Sequence, residues 1–192
     1  MTVVALKNTD SAWGAPAKFF HWLAAAMILT MLGLGWWMTH MIPSGPGRTA
    51  VFSWHAAIGY DLLALTVLRL VWRSLSRTPS LPSDTKPWER IAARIGQGLL
   101  YLATFATAMC GWSLAGTMRT PLVKDLFGIS IPSLVVSHDR PIHEFLEDTH
   151  AILAYVLAGF IAIHVAGALR HHFVKRNNVL TRMLRAASAE AA

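Results

Sequence analysis

The chain has 192 residues, of which 54% are hydrophobic and 14% are charged, and its net charge is +7. Soluble domains carry about 25% charged residues, so this composition excludes an ordinary soluble protein and predicts an integral membrane protein. The basic residues flank apolar stretches instead of forming one polar stripe, which argues against nucleic acid as the partner of the positive charge.

Four apolar stretches are long enough to span a bilayer, which takes about 20 residues of helix. They cover residues 19–41, 53–72, 91–116 and 149–169. The first stretch follows two lysines, as in a signal peptide, but it exceeds the roughly 7 to 15 apolar residues of a cleavable signal and contains His21. We therefore predict a single domain, residues 1–192, that forms an all-α, integral membrane four-helix bundle.

The lysines and arginines are unevenly distributed between the two sides of such a bundle. Thirteen of the 17 lie on the side of both termini and of the connection between the second and third stretches. The other four are Arg48, Arg119, Lys124 and Arg140. The positive-inside rule therefore predicts cytoplasmic termini and outer loops at about 41–52 and 117–148. Pro46, Pro87 and Pro141 are interpreted as residues that break the connections.

Four of the nine histidines lie inside the predicted spans: His21, His55, His150 and His164. An imidazole in hydrocarbon is costly unless it binds something. His150 and His164 are separated by about 21 Å along one helix and by only about 40° around it, so both face the same side. Matching by depth pairs His55 with His150 near the outer surface, and His21 with His164 near the cytoplasm.

Small residues follow each of these histidines by three or four positions, which leaves room for a planar macrocycle. They are Ala24, Ala25, Gly59, Ala154, Gly167 and Ala168. Two isolated histidine pairs suit two irons with two axial ligands each, whereas zinc favours about four converging ligands. Cys110 is the lone cysteine and C-x-x-C-H is absent, so any haem is held non-covalently. Copper binding and proton relay are the alternatives.

Longer segments surround the same histidines. They are F-F-H-W at His21, S-W-H-A-A-I-G-Y at His55, D-T-H-A-I-L-A-Y at His150, I-H-V-A-G-A-L-R-H-H at His164 and the tail N-N-V-L-T-R-M. Nearly the whole chain resembles the bacterial cytochrome b561 family of four-helix dihaem membrane proteins. The resemblance implies two haem b groups, one held by His21 and His164 and the other by His55 and His150. Family members often have Pro two residues before a Gly-Trp pair, where this chain has Met109.

Iron with two histidine ligands has no free coordination site, so such centres transfer electrons. We expect a one-electron relay between an outer-side, periplasmic donor and ubiquinone in the bacterial inner membrane. The resemblance implies superoxide as one candidate donor, which would make the protein a superoxide:ubiquinone oxidoreductase of the respiratory chain; a redox partner protein is another. Two alternatives stay open: an electron-transferring cytochrome b subunit of a larger hydrogenase- or dehydrogenase-type complex, and a metal or proton transporter.

Further candidate contacts lie at the predicted cytoplasmic ends of the helices. Arg73, Arg170, His171 and His172 are candidates for contacts with a quinone or with haem propionates, and the alternative is that they set topology or snorkel. His138 and His143 lie in the second outer loop, where a solvated surface is the default. Asp61 follows His55 by six residues, a costly position for an unpaired carboxylate, and it has no assigned role. No catalytic residue is assigned.

Overall fold

The computed structural model of the chain describes residues 6–118 and 124–184, so Arg119 lies outside the described residues. Its helices are α1 Ala15–His40, α2 Pro46–Leu75, α3 Pro87–Ala115, α4 Arg140–Phe173 and the short α5 Thr181–Leu184. Within the described ranges no sheet forms, and the β-type pairing there is an isolated bridge between Lys124 and Ser130. The prediction of an all-α protein is confirmed.

Helices α1 to α4 are each long and apolar enough to cross a membrane, which confirms the four predicted spans. Large apolar side chains are exposed on all four, for example Phe19, Trp54, Leu102 and Ile152. An exposed apolar surface of this extent is typical of helices whose outer faces meet lipid.

The helices begin earlier than the apolar stretches do, because a proline opens each one. Pro46 and Pro87 are the first residues of α2 and α3, while Pro16 and Pro141 are the second residues of α1 and α4. Proline suits the first turn, where no backbone N–H needs an intrahelical partner and its fixed φ is already helical. The interpretation of Pro46, Pro87 and Pro141 as loop breakers is therefore wrong, and α4 starts at Arg140 instead of 149.

Contacts divide the chain into two compact units, and each of the four long helices contributes a section to both. We call the first the terminal unit; it contains the residues up to Leu23, Val67–Leu100 and the residues from Gly159 onward. The second, the central unit, contains Ala24–Thr66 and Tyr101–Ala158.

A buried carboxylate organises the terminal unit at the start of α3. Glu89 is the third residue of that helix, and its Oε2 accepts the backbone N–H of Lys86 at 2.9 Å, as in a capping box. The same carboxylate binds Arg170 Nη1 at 2.8 Å and Lys175 Nζ at 2.5 Å, while only 4% of its side chain is exposed. Glu89 therefore fixes the beginning of α3 to the end of α4 and to the segment that follows it.

Candidate functional site

The central unit brings His55 of α2 next to His150 of α4. Their ring centres are 6.1 Å apart and the ring planes are inclined by 83°. His150 Nδ1 lies 3.0 Å from the carbonyl oxygen of Thr107 on α3. Because a carbonyl only accepts, Nδ1 carries the proton and donates it, which leaves the Nε2 lone pair of His150 available to a metal.

His55 lacks a partner of this kind. Both of its ring nitrogens are buried, and neither forms a hydrogen bond among the residues that the structure describes. A buried polar atom without a partner costs about 1–3 kcal/mol, so such atoms in a native protein usually have a ligand, a water molecule or a functional role. The two unpaired nitrogens beside His150 therefore point to a bound group.

The terminal unit brings His21 of α1 next to His164 of α4. Their ring centres are 6.2 Å apart, with the planes inclined by 61°. An Nη atom of Arg69 lies 2.9 Å from His21 Nδ1, and since a guanidinium only donates, Nδ1 accepts and the neutral ring carries its proton on Nε2. To bind a metal through Nε2, His21 would have to release that proton or give up the contact with Arg69. This pair thus has a cation in contact with one ring, whereas the other pair has a carbonyl oxygen in contact with His150.

The spacing within both pairs fits a shared metal atom. Two metal–nitrogen bonds of about 2.0–2.1 Å, and roughly 1.1 Å from each nitrogen to its ring centre, place trans imidazole centres about 6.3 Å apart. The observed separations are 6.1 and 6.2 Å. Within residues 6–118 and 124–184, no group of three or more His, Cys, Asp or Glu side chains is placed to hold a metal ion. Each pair therefore offers two imidazoles at a separation that would suit two ligands of one metal atom.

A cavity in the central unit adjoins its histidine pair. It has a volume of about 520 Å³, including space open to the surroundings, and both His55 and His150 line it together with apolar residues such as Met31, Phe52 and Trp112. Concave sites lined mainly by apolar side chains are typical of cofactor binding. The imidazole donors and the apolar lining therefore both suit a haem.

Two glycines lie against the rings of this pair. A Cβ at Gly111 would lie 2.8 Å from His150 Cε1 and 3.2 Å from its Nδ1, and a Cβ at Gly35 would lie 3.4 Å from His55 Cε1. Gly59, expected to leave room for a macrocycle, has Met31 Cε 3.3 Å from its Cβ position. Sequence reasoning missed the roles of Gly35 and Gly111, because these glycines lie on α1 and α3 and not on the helices that carry His55 and His150.

The four predicted quinone or propionate contacts all have neighbours within the terminal unit. Arg73 donates to Gln97 Oε1 at 2.9 Å, and Arg170 is held by Glu89. His171 Nδ1 lies 3.0 Å from Asn177 Nδ2, and the ring of His172 packs edge-on against Phe173, 4.8 Å between centres. Their binding of a quinone or a propionate stays a prediction.

Polar contacts connect the segment predicted as the second outer loop with the helices of the central unit, and His143, predicted in that loop, lies on α4. His143 Nδ1 lies 2.7 Å from Thr117 Oγ1, and its Nε2 lies 3.9 Å from Glu147. Asp61 Oδ2 accepts the backbone N–H of Leu126 at 3.1 Å, which gives this carboxylate the partner that its sequence position demanded. His138 is exposed.

The fold and the site together define a class: a multi-pass helical membrane protein with two pairs of neighbouring imidazoles within its long helices. Residues 12–186 match the family model described as prokaryotic cytochrome b561. The chain belongs to the prokaryotic cytochrome b561 family, as the resemblance indicated. It is therefore a membrane electron-transfer protein of the haem b type in the bacterial inner membrane.

Individual relatives agree with this assignment. Cytochrome b561 homolog 2 of Escherichia coli (strain K12) is 29% identical over 188 residues, which cover 97% of this chain and 98% of the relative. A probable superoxide oxidase CybB of Yersinia pestis is 26% identical over 134 residues, 68% of this chain and 72% of the relative. Cytochrome b562 of Cereibacter sphaeroides is 24% identical over 173 residues, 86% and 90% of the two chains.

Proposed function

We propose that the chain binds two haem b groups without covalent attachment, one with His55 and His150 and the other with His21 and His164 as axial ligands. We further propose that it passes single electrons from a periplasmic donor to ubiquinone, with both chain termini in the cytoplasm. One observation carries the proposal: a chain of this family contains two imidazole pairs, with ring centres 6.1 and 6.2 Å apart.

When bound, haem would supply a one-electron redox centre. The protein's part is to orient the ligands, exclude water and set the local charge. Thr107 orients His150 through its carbonyl oxygen, and Gly111 leaves the space in which that ring lies. Arg69 places a positive charge against His21, where it favours the state that carries the additional electron.

The name of the Yersinia pestis relative, a probable superoxide oxidase, supports superoxide as the donor. The test uses the purified holoprotein in lipid nanodiscs, a superoxide-generating system and a soluble ubiquinone analogue. We expect two haems per chain in a pyridine haemochrome assay, reduction of the haem by superoxide, and formation of quinol. As a control, the His55→Ala variant should lose quinol formation together with one of the two haems.

The other outcomes distinguish the alternative functions. A holoprotein that contains two haems but forms no quinol with superoxide would indicate an electron-transferring subunit that needs its protein partner. A colourless protein that binds a transition metal or moves protons would overturn the haem proposal and favour a transporter.

A further inference from the structure

The loop between α3 and α4 contains a tight hairpin, residues 124–130, whose tip is apolar. Lys124 and Ser130 pair across its base, and Gly128 adopts φ +79°, a backbone conformation that favours glycine. Phe127 is 82% exposed, Ile129 is 59% exposed and Leu126 is 44% exposed. Three large apolar side chains therefore project from one turn.

The backbone amides of this tip are all hydrogen-bonded within the protein. Asp125 Oδ1 accepts the N–H groups of Phe127 at 3.0 Å and Ile129 at 2.8 Å, and the Asp125 carbonyl accepts Gly128 N–H at 3.2 Å. Asp125 N–H donates to Ile129 O at 3.1 Å. The remaining amide, that of Leu126, donates to Asp61 Oδ2 at 3.1 Å.

The contact with Asp61 fixes where the tip lies along α2. Asp61 is the sixteenth of 30 residues in that helix, and the nearest basic residues of the helix are Arg48 before it and Arg69 after it. The hairpin therefore meets α2 within the section that carries no Lys or Arg, inside a membrane-spanning helix. A carboxylate in that section is costly without a partner, and the loop supplies one.

We propose that residues 125–129 form an anchor that inserts into the bilayer leaflet on the side of the His55 and His150 pair. Lipid cannot hydrogen-bond to backbone N–H groups, so a loop that enters it has to satisfy them internally, and this tip does so for all five of its N–H groups. A protein partner that docked by strand addition would need free amides, which the tip lacks. Trp54 and Ile152 of the same unit are also large, exposed apolar side chains on membrane-spanning helices.

The two charged residues of the hairpin are also placed as insertion into lipid requires. Lys124 lies at the base and is exposed, so its long side chain is available to the phosphates of the headgroup region once the tip lies deeper. Asp125 is turned toward the amides of its own turn. The occupant of this surface is thus the lipid itself, and the inference is independent of the donor and of the quinone.

Depth measurements on spin-labelled holoprotein test the anchor. Cys110→Ser removes the lone cysteine, and Phe127→Cys or His138→Cys then introduces one labelling site; His138 is exposed in a polar part of the same loop. In nanodiscs of zwitterionic and anionic lipids, we expect the nitroxide at position 127 to collide more with oxygen than with a water-soluble nickel chelate. The nitroxide at position 138 should show the opposite preference, so that the oxygen-to-nickel ratios differ several-fold.

Two further variants test the role of Asp61. Asp61→Asn keeps an oxygen acceptor for the Leu126 amide and should preserve the depth of the label, whereas Asp61→Leu removes the acceptor and should move the label toward water. The proposal is overturned if the label at 127 is as accessible to nickel as the label at 138. It is equally overturned if the label is shielded from both reagents and shows spin–spin coupling, because a second copy would then cover the tip.

Discussion

Gly111 shows how a single residue of α3 controls the candidate site on α4. A methyl group at this position would lie 2.8 Å from His150 Cε1, closer than real Cβ contacts, so the imidazole would have to move. Gly111→Ala should therefore lower the haem content from two per chain to about one, since the displaced ring loses its axial geometry. The pyridine haemochrome assay on purified protein measures this ratio.

Gly33→Ala is the matched control, because Gly33 also lies in the central unit and nothing is within 4 Å of its Cβ position. We expect Gly33→Ala to keep two haems and an unchanged Soret band. Equal haem contents in the two variants would show that His150 does not need a glycine at position 111.

Arg69 is the residue that makes the two histidine pairs electrically different. Its guanidinium lies 2.9 Å from His21 Nδ1, while Thr107 presents a neutral carbonyl to His150. A nearby cation favours the reduced centre, so Arg69→Gln should lower the midpoint potential of one haem by on the order of 50 mV and leave the other nearly unchanged. Potentiometric titration of the α-band resolves the two.

The conservative variant separates charge from packing in this case. Arg69→Lys keeps the positive charge and should retain most of the wild-type potential, although it loses the planar geometry of the guanidinium. A fall in potential that is the same for Arg69→Lys and Arg69→Gln would attribute the effect to packing and contradict the electrostatic argument.

The histidine pairs could be predicted from the sequence, and their surroundings could not. Helical rise and the direction in which each span enters the membrane were sufficient to match His55 with His150 and His21 with His164. The contacts from Gly35, Gly111 and Arg69 depend instead on the register between neighbouring helices. A single sequence contains no direct measure of that register, because apolar helices slide past one another without a change in hydropathy.

At the scale of the elements, hydropathy located the spans but not the helix ends. The apolar stretch 149–169 lies within α4, which begins at Arg140 because Pro141 suits its first turn and the polar residues after it continue the helix. Hydropathy reports contact with lipid, whereas a helix ends where its capping and hydrogen bonding end. The prolines before each stretch are the feature of the sequence from which the true starts could have been predicted, because each one lies in the first turn of its helix.

Polar contacts hold the segment that follows α4, residues 174–184, to α1, to the loop before α3 and to the start of α3. Glu89 binds Arg170 and Lys175, and Arg182 donates to the carbonyl oxygen of Ser80 at 2.9 Å. Trp22, next to His21, donates its indole N–H to Met183 O at 3.0 Å. Residues 174–184 are therefore held in place within the terminal unit, which also contains His21 and His164.

Glu89→Gln should loosen this segment, because a neutral amide replaces the carboxylate that holds two cations. We expect faster tryptic cleavage after Lys175 and Arg176 and a lower midpoint of thermal unfolding. Glu144→Gln is the control, since Glu144 pairs with Arg140 on an exposed surface and such pairs contribute little. Cleavage rates that match between the two variants would contradict a fastening role for Glu89.

At the scale of the whole molecule, each compact unit contains one complete histidine pair. Every long helix contributes to both units, yet no pair draws its two ligands from different units. Each pair therefore has its own set of packing contacts. We expect the two haem sites to be assembled independently, so that the loss of one need not empty the other.

His150→Ala and His164→Ala test this independence as a reciprocal pair. His150→Ala should remove the haem of the central unit and His164→Ala that of the terminal unit, because an iron with a single remaining ligand is held more weakly. Each variant should retain about one haem per chain, with reduced-minus-oxidised difference spectra that sum to the wild-type spectrum. If both variants contained no haem, the two sites would not be separate, and the binding of one haem would depend on the other.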